Sequence, residues 1–427
     1  MAVSNKYDPR LKGLKELQET LVVGQKTVQE ILHNLEPSKE GKLTDQSSIL
    51  TGTRGSGKSH LQTLLYRKIE EDTNLSRYWF PLIFPEELFN VDSLYRLLIL
   101  TIETGMKKTG KIEGLQELET HYNKIKSARL SGSLKEKYAQ KHTMAKDLFQ
   151  VLRKLVLLTG KKWILMIENL QEVLNHQLSE DDTNHLRSFM HEHPETFIII
   201  GSALTVFDAI ENYGKPFYHF FRLKHLDGLT KEEMVSFLRK IAYTRKEIEI
   251  EEKIEKNRAY IYTFHLLTGG NPRLVLFLYE LLMDYKELNT VLILEKITEL
   301  TPYFRDKTKD ISSQRRLIVD ALASEAPAQT VTEIATYINE DLKSVSVQCG
   351  RMASEGWLLA IDIQAQNVKK KEAFYTLRDY FYRIWYKMRT GTIEESDLYC
   401  MAELSALLFD QPELKARLEY SRKLNAW

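Results

Sequence analysis

The chain has 427 residues, of which 43% are hydrophobic and 28% are charged, and its formal net charge is +1. This length exceeds one ordinary hydrophobic core and predicts two or three domains, and the charge gives the whole chain no strong attraction to nucleic acid or anionic membrane. No apolar run approaches the ~20 residues of a membrane-spanning helix, and the amino terminus lacks the apolar stretch of a signal peptide. The two cysteines, Cys349 and Cys400, fit a reduced, cytoplasmic protein.

The first half of the chain carries the hydrophobic pattern of an α/β sheet. After a helical and partly polar stretch over residues 1–46, Ser47–Thr51 is predicted to be a short buried strand. The helix predicted to follow has an apolar face formed by Leu61, Leu64, Leu65 and Ile69. A strand-like run follows at Tyr78–Phe84, and continuous apolar runs, which are typical of buried parallel strands, recur at Trp163–Ile167 and Phe197–Ile200. A fifth strand is predicted near Phe221–Leu226. Residues 86–158 are predicted to be a helical insertion.

A glycine-rich segment joins the first strand to the next helix. It matches the P-loop pattern G-x-x-x-x-G-K-[ST] through Gly52, Thr53, Arg54, Gly55, Ser56, Gly57, Lys58 and Ser59. Glycines let backbone N–H groups turn toward phosphate oxygens, and the helix N-terminus adds its dipole. Lys58 is predicted to reach the β- and γ-phosphates and Ser59 to ligate Mg²⁺, and the adjoining His60 is counted with the nucleotide-binding residues. The segment predicts a site for ATP with Mg²⁺; the alternative is a surface loop.

A second part of this site is expected where the strand WILMI ends. P-loop enzymes hold the water shell of Mg²⁺ with an acid at the end of a neighbouring strand, and Glu168 occupies that place. Asn169 stands where a catalytic glutamate is usual, and a carboxamide cannot act as a general base. Both are candidate catalytic residues, with Asn169 limited to orienting water; alternatively, they merely end a strand. Glu172, Asp181 and Asp182 are substitute acids without a predicted place.

Two further polar residues are predicted to approach the γ-phosphate. The run Phe197–Ile200 ends in Gly201 and Ser202, where Ser202 would touch the phosphate or water, unless it caps the next helix. Asn271 and Pro272 are good N-cap and first helical residues, so Arg273 would lie in the first turn. The helix dipole disfavours a cation there, and a nearby γ-phosphate would reverse that cost. Arg273 is therefore, with Lys58, a candidate catalytic cation; its alternative partner is a surface carboxylate.

The last third of the chain predicts three short helices and then two strands. The helical runs are Gln314–Ala323, Val331–Asn339 and Leu342–Ser354, and the strands are Trp357–Ile363 and Ala373–Leu377. This order is typical of a winged helix, whose third helix would present to a DNA groove Lys343, Ser344, Gln348 and Arg351. The wing lysines Lys369–Lys371 would meet phosphate. Residues 315–389 contain 11 Lys and Arg against 9 Asp and Glu, few for a dedicated DNA reader, so packing or a protein partner stays open.

Together these residues resemble the STAND-type P-loop ATPases of the archaeal-type, MNS-like clade, which are related to the origin-recognition initiator ATPases of the AAA+ class. The matching segments are LVVGQK, GTRGSGKSHL, the strand ending in ENL, FIIIGSA, TGGNPR and YTLRDYFYRIWYKMR. The resemblance implies an ASCE parallel sheet, a helical lid with a second sensor, and a winged helix. It assigns the site roles to Lys58, Ser59, Glu168, Ser202 and Arg273.

The predicted organisation comprises a P-loop α/β domain over residues 1–227, a helical lid over 228–308, a winged-helix domain over 309–390 and terminal helices over 391–427. The resemblance implies a slowly hydrolysing nucleotide switch that controls or assembles with a partner effector, as a homo-oligomer or with a partner protein, in signalling or prokaryotic defence. From its place after the fourth predicted strand, Arg222 is a candidate arginine finger that would reach a neighbouring subunit. The alternatives are a DNA-binding initiator or loader, and an ATP-binding structural subunit without useful hydrolysis.

Overall fold

The computed structural model describes residues 8–21, 24–110, 112–247, 254, 258–284, 295, 297–309, 311–324, 328–362 and 373–390. The chain divides into two compact units, one formed by Met1–Gly52 with Lys58–Leu226 and the other by Thr53–Gly57 with Asp227–Trp427. This division does not separate the predicted lid from the predicted winged helix, so that boundary stays a prediction. The predicted terminal helices and the wing lysines lie outside the described residues.

The first unit alternates helices with strands. Two short helices, α1 (Leu14–Glu19) and α2 (Gln25–Leu35), precede the strand β1 (Ser48–Thr51) and the helix α3 (Lys58–Glu71). The strand β2 (Trp79–Ile83) is followed by α4 (Leu94–Thr109), α5 (Leu115–Ser127) and α6 (Leu134–Thr159). Then come β3 (Lys162–Ile167), the short α7 (Leu170–Glu172), α8 (Glu180–Glu192), β4 (Phe197–Ala203), α9 (Asp208–Glu211) and β5 (Arg222–His225). The helices α4 to α6 fill the segment predicted to be a helical insertion.

The five strands form one parallel sheet in the order β2-β3-β4-β1-β5. β1 pairs with β4 on one side and with β5 on the other, so that Leu50 lies between Ser202 and Lys224. β3 pairs with β2 and β4. The predicted α/β class and parallel sheet are therefore confirmed. The strand order corrects one expectation, because β3, which leads into Glu168, is not the neighbour of β1 but is separated from it by β4.

Alternate residues of β3 serve the two faces of the sheet, as the period of two in a strand requires. Trp163, Leu165 and Ile167 join a core with α4, α5, α6 and α8, whereas Ile164 and Met166 join a second core with α1, α2 and α3. The second core contains the predicted apolar face of α3, at most 1% exposed, formed by Leu61, Leu64, Leu65 and Ile69. Helices cover both faces, which explains why the strand is apolar throughout.

The second unit is helical at first and ends around a small sheet. Its first helices are α10 (Lys231–Arg245), α11 (Arg258–Thr268), α12 (Pro272–Asp284), α13 (Thr301–Lys309) and α14 (Ser313–Ser324). Then come β6 (Ala328–Thr330), α15 (Val331–Ile338), α16 (Leu342–Ser354), β7 (Leu358–Asp362), β8 (Ala373–Leu377) and α17 (Tyr380–Thr390). β8 lies between β6 and β7 and is antiparallel to both. In the part of the chain that the structure describes, no helix is long and apolar enough to cross a membrane.

A buried ion pair fixes α13 within the second unit. Lys307 Nζ donates to Asp379 Oδ2 at 3.1 Å, and the two side chains are 6% and 7% exposed. Burial raises the pKa of Asp379, and the neighbouring Lys307 ammonium opposes that shift. Because removing one partner would leave an uncompensated buried charge, loss of either side chain is expected to disturb α13, which carries Tyr303 of the site described below.

Candidate functional site

The P-loop lies between β1 and α3, and α3 begins at Lys58. Gly55 and Gly57 have φ angles of 81° and 98°, a backbone region that side chains disfavour and glycine accepts. Lys58 Nζ donates to the Gly52 carbonyl oxygen at 2.6 Å, and Lys58 is only 9% exposed. The ammonium group therefore lies back over the start of the loop, and its contact with phosphate stays a prediction.

Three side chains of the first unit meet at the carboxyl end of β3. Glu168 directly follows β3 and is 5% exposed, and its Oε2 atom accepts a hydrogen bond from Ser59 Oγ. Its Oε1 atom accepts from Arg10 Nη2 at 2.5 Å, with the Arg10 side chain 27% exposed. The structure thus brings together the two predicted magnesium ligands, which are 109 residues apart in sequence, and adds an arginine to them.

The backbone turns sharply after Glu168. Asn169 has φ 50° and ψ 42°, the left-handed region that asparagine tolerates better than most residues. This conformation gives a local reason for asparagine where a glutamate is usual. Leu170 then packs so closely on β4 that a Cβ atom on Gly201 would lie 2.5 Å from Leu170 Cδ2. Gly201 therefore allows this turn to lie against the sheet.

Ser202 lies in a strand that is longer than predicted. β4 ends at Ala203 rather than at Ile200, because its last four residues pair with β1 as far as Thr51. Ser202 is 2% exposed and lies opposite Leu50, one residue before both strands end. The alternative role as a helix cap is wrong, since the N-cap of α9 is Phe207. A contact between Ser202 and the γ-phosphate stays a prediction.

The turn of the P-loop, Thr53–Gly57, belongs to the second unit. There the Arg54 carbonyl oxygen accepts from Asn271 Nδ2 at 2.8 Å and from Tyr303 Oη at 3.0 Å. Asn271 Nδ2 also donates to Tyr303 Oη at 3.1 Å. Burial raises the pKa of Tyr303, so its phenol stays protonated and remains a donor. Neutral hydrogen bonds from two side chains therefore converge on a single carbonyl group of the turn, and the exposed Arg54 guanidinium also pairs with Asp306 at 3.2 Å.

Arg273 lies beside this turn, in the first turn of α12. Its N–H donates to Asn271 Oδ1 at 3.0 Å, as expected for an N-cap. A Cβ atom on Gly55 would lie 2.8 Å from Asn271 Oδ1 and 2.9 Å from Arg273 Cβ, so the turn has no room for a side chain there. The guanidinium lies 5.4 Å from the centre of the Tyr303 ring, and no described carboxylate forms an ion pair with it. Its contact with the γ-phosphate stays a prediction.

Other predicted residues have contacts of their own in the first unit. His60 Nε2 donates to the Leu17 carbonyl oxygen at 2.9 Å, and burial lowers the pKa of His60, so its neutral ring faces α1. Asp182 closes a capping box with Ser179 at the start of α8, which explains this acid without a catalytic role. Arg222 begins β5 at the amino-terminal end of the parallel strands, opposite to the end where the P-loop begins, and its role as an arginine finger stays a prediction.

The four predicted DNA-facing residues of α16 divide between two environments. Ser344 Oγ and Gln348 Oε1 accept hydrogen bonds from side chains of α14 at 2.8 Å and 2.9 Å. Lys343 and Arg351 are exposed. The prediction that all four present their side chains outward is therefore wrong, because packing between α14 and α16 engages two of them.

The oxygen-bearing groups of the P-loop region suit phosphate and a hard divalent cation. A serine hydroxyl and a carboxylate are ligands that Mg²⁺ accepts, and Ser59 and Glu168 are already in contact. In the turn, Ser56 Oγ is buried and has no hydrogen-bond partner among the described residues, which is uncommon for a buried hydroxyl. The residues present therefore fit a phosphate group with Mg²⁺.

Three residues of the site were missed by sequence reasoning. Gln62 Nε2 donates to the carbonyl oxygens of Ile200 at 2.8 Å and Ile167 at 3.3 Å, which ties α3 to the middle of β4 and to the end of β3. The sequence contains a signal for Gln62, because a polar glutamine stands beside the apolar residues of the predicted helix. Arg10 and Tyr303 lie 158 and 249 residues from the groups that they contact, and no local pattern marks them.

Comparison with known proteins gives limited further information. No protein-family model matches the sequence, and no curated protein matches it. Among solved structures, the chain is similar to Aeropyrum pernix ORC1 in complex with DNA, at 13% identity over 92% of this chain and 94% of that one, with a TM-score of 0.41. It is also similar to Drosophila ORC bound to DNA (11% identity, 91% and 94%, TM-score 0.40) and to Cdc6p from Pyrobaculum aerophilum (12%, 89% and 94%, TM-score 0.39). Because these TM-scores are all below 0.5, the proposed function rests on the strand order and the geometry of the site.

Proposed function

We propose that this chain binds ATP with Mg²⁺ at Gly52–Ser59 and acts as a nucleotide-dependent switch of the AAA+ class. The observation that carries the proposal is the contact between Ser59 and Glu168, which come from the P-loop helix and from the end of β3. Ligands of open parallel sheets bind outside the carboxyl ends of the strands, and both residues lie there. Mg²⁺, when bound, would neutralise charge on the phosphates.

The strand order supports the class. A P-loop directly after β1 and an acid at the carboxyl end of β3 lie in one parallel sheet, with β4 between the two strands, and a parallel sheet is what the ASCE resemblance implies. The narrower STAND assignment, and a partner effector in signalling or defence, rest on the sequence segments named above. We infer that the switch works with a partner protein or as a homo-oligomer.

Each polar residue has a proposed task. Lys58 would exchange its bond to the Gly52 carbonyl for bonds to the β- and γ-phosphates, and Ser59 and Glu168 would hold the metal. Arg273, which is exposed beside Gly55, would contact the γ-phosphate, as would Ser202. The ring of His60 faces α1, so His60 would contribute through its backbone N–H.

We propose that this chain hydrolyses ATP slowly. Asn169 cannot take a proton from water, and its left-handed backbone favours asparagine over glutamate at that position. Binding and release of ATP would then drive the switch more than rapid turnover would.

Replacement of Lys58 tests the proposal. In Lys58→Ala we expect ATP affinity to fall roughly tenfold to a hundredfold, because a hydrogen bond between charged groups contributes about 1.5–3 kcal/mol. Titration calorimetry with ATP and Mg²⁺ measures this loss. Lys68→Ala, on the same helix α3, is the matched control and should bind like the wild type. Equal affinities of wild type and Lys58→Ala would refute a P-loop site.

A second candidate function is DNA binding by the second unit. The order of α14, α15 and α16 before the antiparallel strands β7 and β8 is that of a winged helix, and Lys343 and Arg351 offer exposed cations. The engagement of Ser344 and Gln348 by α14 favours packing or a protein partner instead. Duplex binding at about 50 mM salt decides between them; undetectable binding there would exclude the DNA function.

A further inference from the structure

We propose that Arg10 is a built-in competitor of the magnesium ion. Its guanidinium would neutralise Glu168 until ATP and Mg²⁺ bind, and the cation would then displace it together with the short segment Asp8–Lys12. This inference rests on the proposed nucleotide site and names its regulation. The segment that precedes α1 would thereby change its position according to whether ATP and Mg²⁺ are bound at the P-loop.

The contacts of Glu168 show what a metal ion would have to replace. Its Oε1 atom is bound to Arg10 Nη2 and its Oε2 atom to Ser59 Oγ. The Glu168 side chain is 6% exposed, and a carboxylate so deeply buried needs a compensating charge. Arg10 supplies that charge from a position that water can still reach, since its own side chain is 27% exposed.

The two cations compete for one carboxylate. A divalent ion whose water shell is held by Glu168 would come within a few ångströms of the guanidinium, and like charges at that distance repel strongly where burial limits screening. The guanidinium, with one charge against two, is the cation that would leave. Ser59, in contrast, would stay, because a hydroxyl can ligate the metal while remaining beside the carboxylate.

The fold allows this movement without disturbing the core. Arg10 lies in a three-residue helical turn, Pro9–Leu11, that none of the strands includes, and Leu11 is 67% exposed. The turn is closed locally by Asp8 Oδ1, which accepts the Arg10 N–H at 2.9 Å. The following helix α1 is anchored separately, because Leu17 is 0% exposed and its carbonyl oxygen is bound to His60. The turn contacts α3 but contributes no buried residue, and Lys12 Nζ pairs with Glu16 Oε1 of α1 at 3.2 Å. Release of the segment would therefore break surface contacts while α1 stays docked.

Hydrogen–deuterium exchange of the wild-type chain tests the displacement directly. Exchange of peptides covering residues 8–12 should increase when ATP is added with Mg²⁺, and should not increase with Mg²⁺ alone or with ATP in EDTA. Peptides covering residues 14–19 of α1 are the internal reference and should change little. If the wild type binds ATP with Mg²⁺ while exchange of residues 8–12 stays unchanged or slows, the inference is overturned and the nucleotide site stands.

The variant Arg10→Gln tests the competition. The ratio of the ATP Kd in EDTA to the ATP Kd in Mg²⁺ measures how much Mg²⁺ tightens ATP binding. In Arg10→Gln this ratio should rise roughly threefold to tenfold, because the variant loses a partly exposed charged contact that competes with the metal. Lys15→Gln is the matched control, since Lys15 is 90% exposed and lies 3.9 Å from Glu19, and it should keep the wild-type ratio. A lower ratio in Arg10→Gln would overturn the inference and make Arg10 a ligand-binding residue. Failure of the wild type to bind ATP in either solution would overturn the proposed function itself.

Discussion

The two parts of the P-loop are held by different kinds of contact. In the first unit, Ser59 meets the carboxylate of Glu168, which is paired with Arg10. In the second unit, the turn Thr53–Gly57 is held by a neutral amide and a phenol that donate to one carbonyl oxygen, and its ion pair between Arg54 and Asp306 at 3.2 Å is exposed to solvent. A charged ligand acts strongly on the first set and weakly on the second. Under the proposed function, the first part would respond to ATP and Mg²⁺, whereas the contacts of the second part confine the shape of the loop.

The largest change in stability is expected from a side chain added at Gly55, which Asn271 and Arg273 crowd in the second part of the loop. Gly55→Ala should lose about 2–5 kcal/mol of unfolding free energy, because a left-handed alanine costs about 1–2 kcal/mol and overpacking adds about 1–3 kcal/mol. Gly57→Ala is the matched control, since its φ is also positive but a Cβ atom there would meet nothing within 4 Å. It should lose only about 1–2 kcal/mol. Denaturant unfolding without nucleotide measures both; equal losses would show that Asn271 and Arg273 do not confine the turn.

A smaller effect is expected from Tyr303→Phe. The variant keeps the ring and removes one hydrogen bond to the Arg54 carbonyl oxygen, so it should lose about 1 kcal/mol of stability. Because the bond is neutral and buried, the loss should be the same at about 50 mM and about 500 mM salt. Tyr243→Phe, at an exposed position of α10, should change nothing measurable. A loss for Tyr303→Phe that shrinks with salt would remove the distinction between the two parts.

The sheet and the P-loop could be predicted because their signals are local. A strand buried on both faces is a continuous apolar run, as in Trp163–Ile167, and the P-loop has fixed glycine spacing. The end of β4 was predicted too early, because Gly201 and Ser202 lack the apolar character of the preceding isoleucines. They are held in the strand by pairing with β1 and by the approach of Leu170, which depend on the tertiary fold.

The remainder of the site could not be predicted because its partners are distant in sequence. Arg10 meets Glu168, and Tyr303 meets Arg54, only after the chain has folded. The predicted outward face of α16 failed for the same reason, since α14 engages Ser344 and Gln348. Helix periodicity shows which residues share a face but not which neighbour covers it.

The magnesium dependence of ATP binding in Glu168→Gln tests the central claim most directly. The variant keeps the shape of the side chain and removes the charge that would hold the metal. We expect wild-type ATP binding to be tighter in Mg²⁺ than in EDTA, and we expect Glu168→Gln to lose most of that difference, roughly tenfold for a contact between charged groups. An unchanged Mg²⁺ dependence in Glu168→Gln would contradict the claim that Ser59 and Glu168 form the metal side of a nucleotide site.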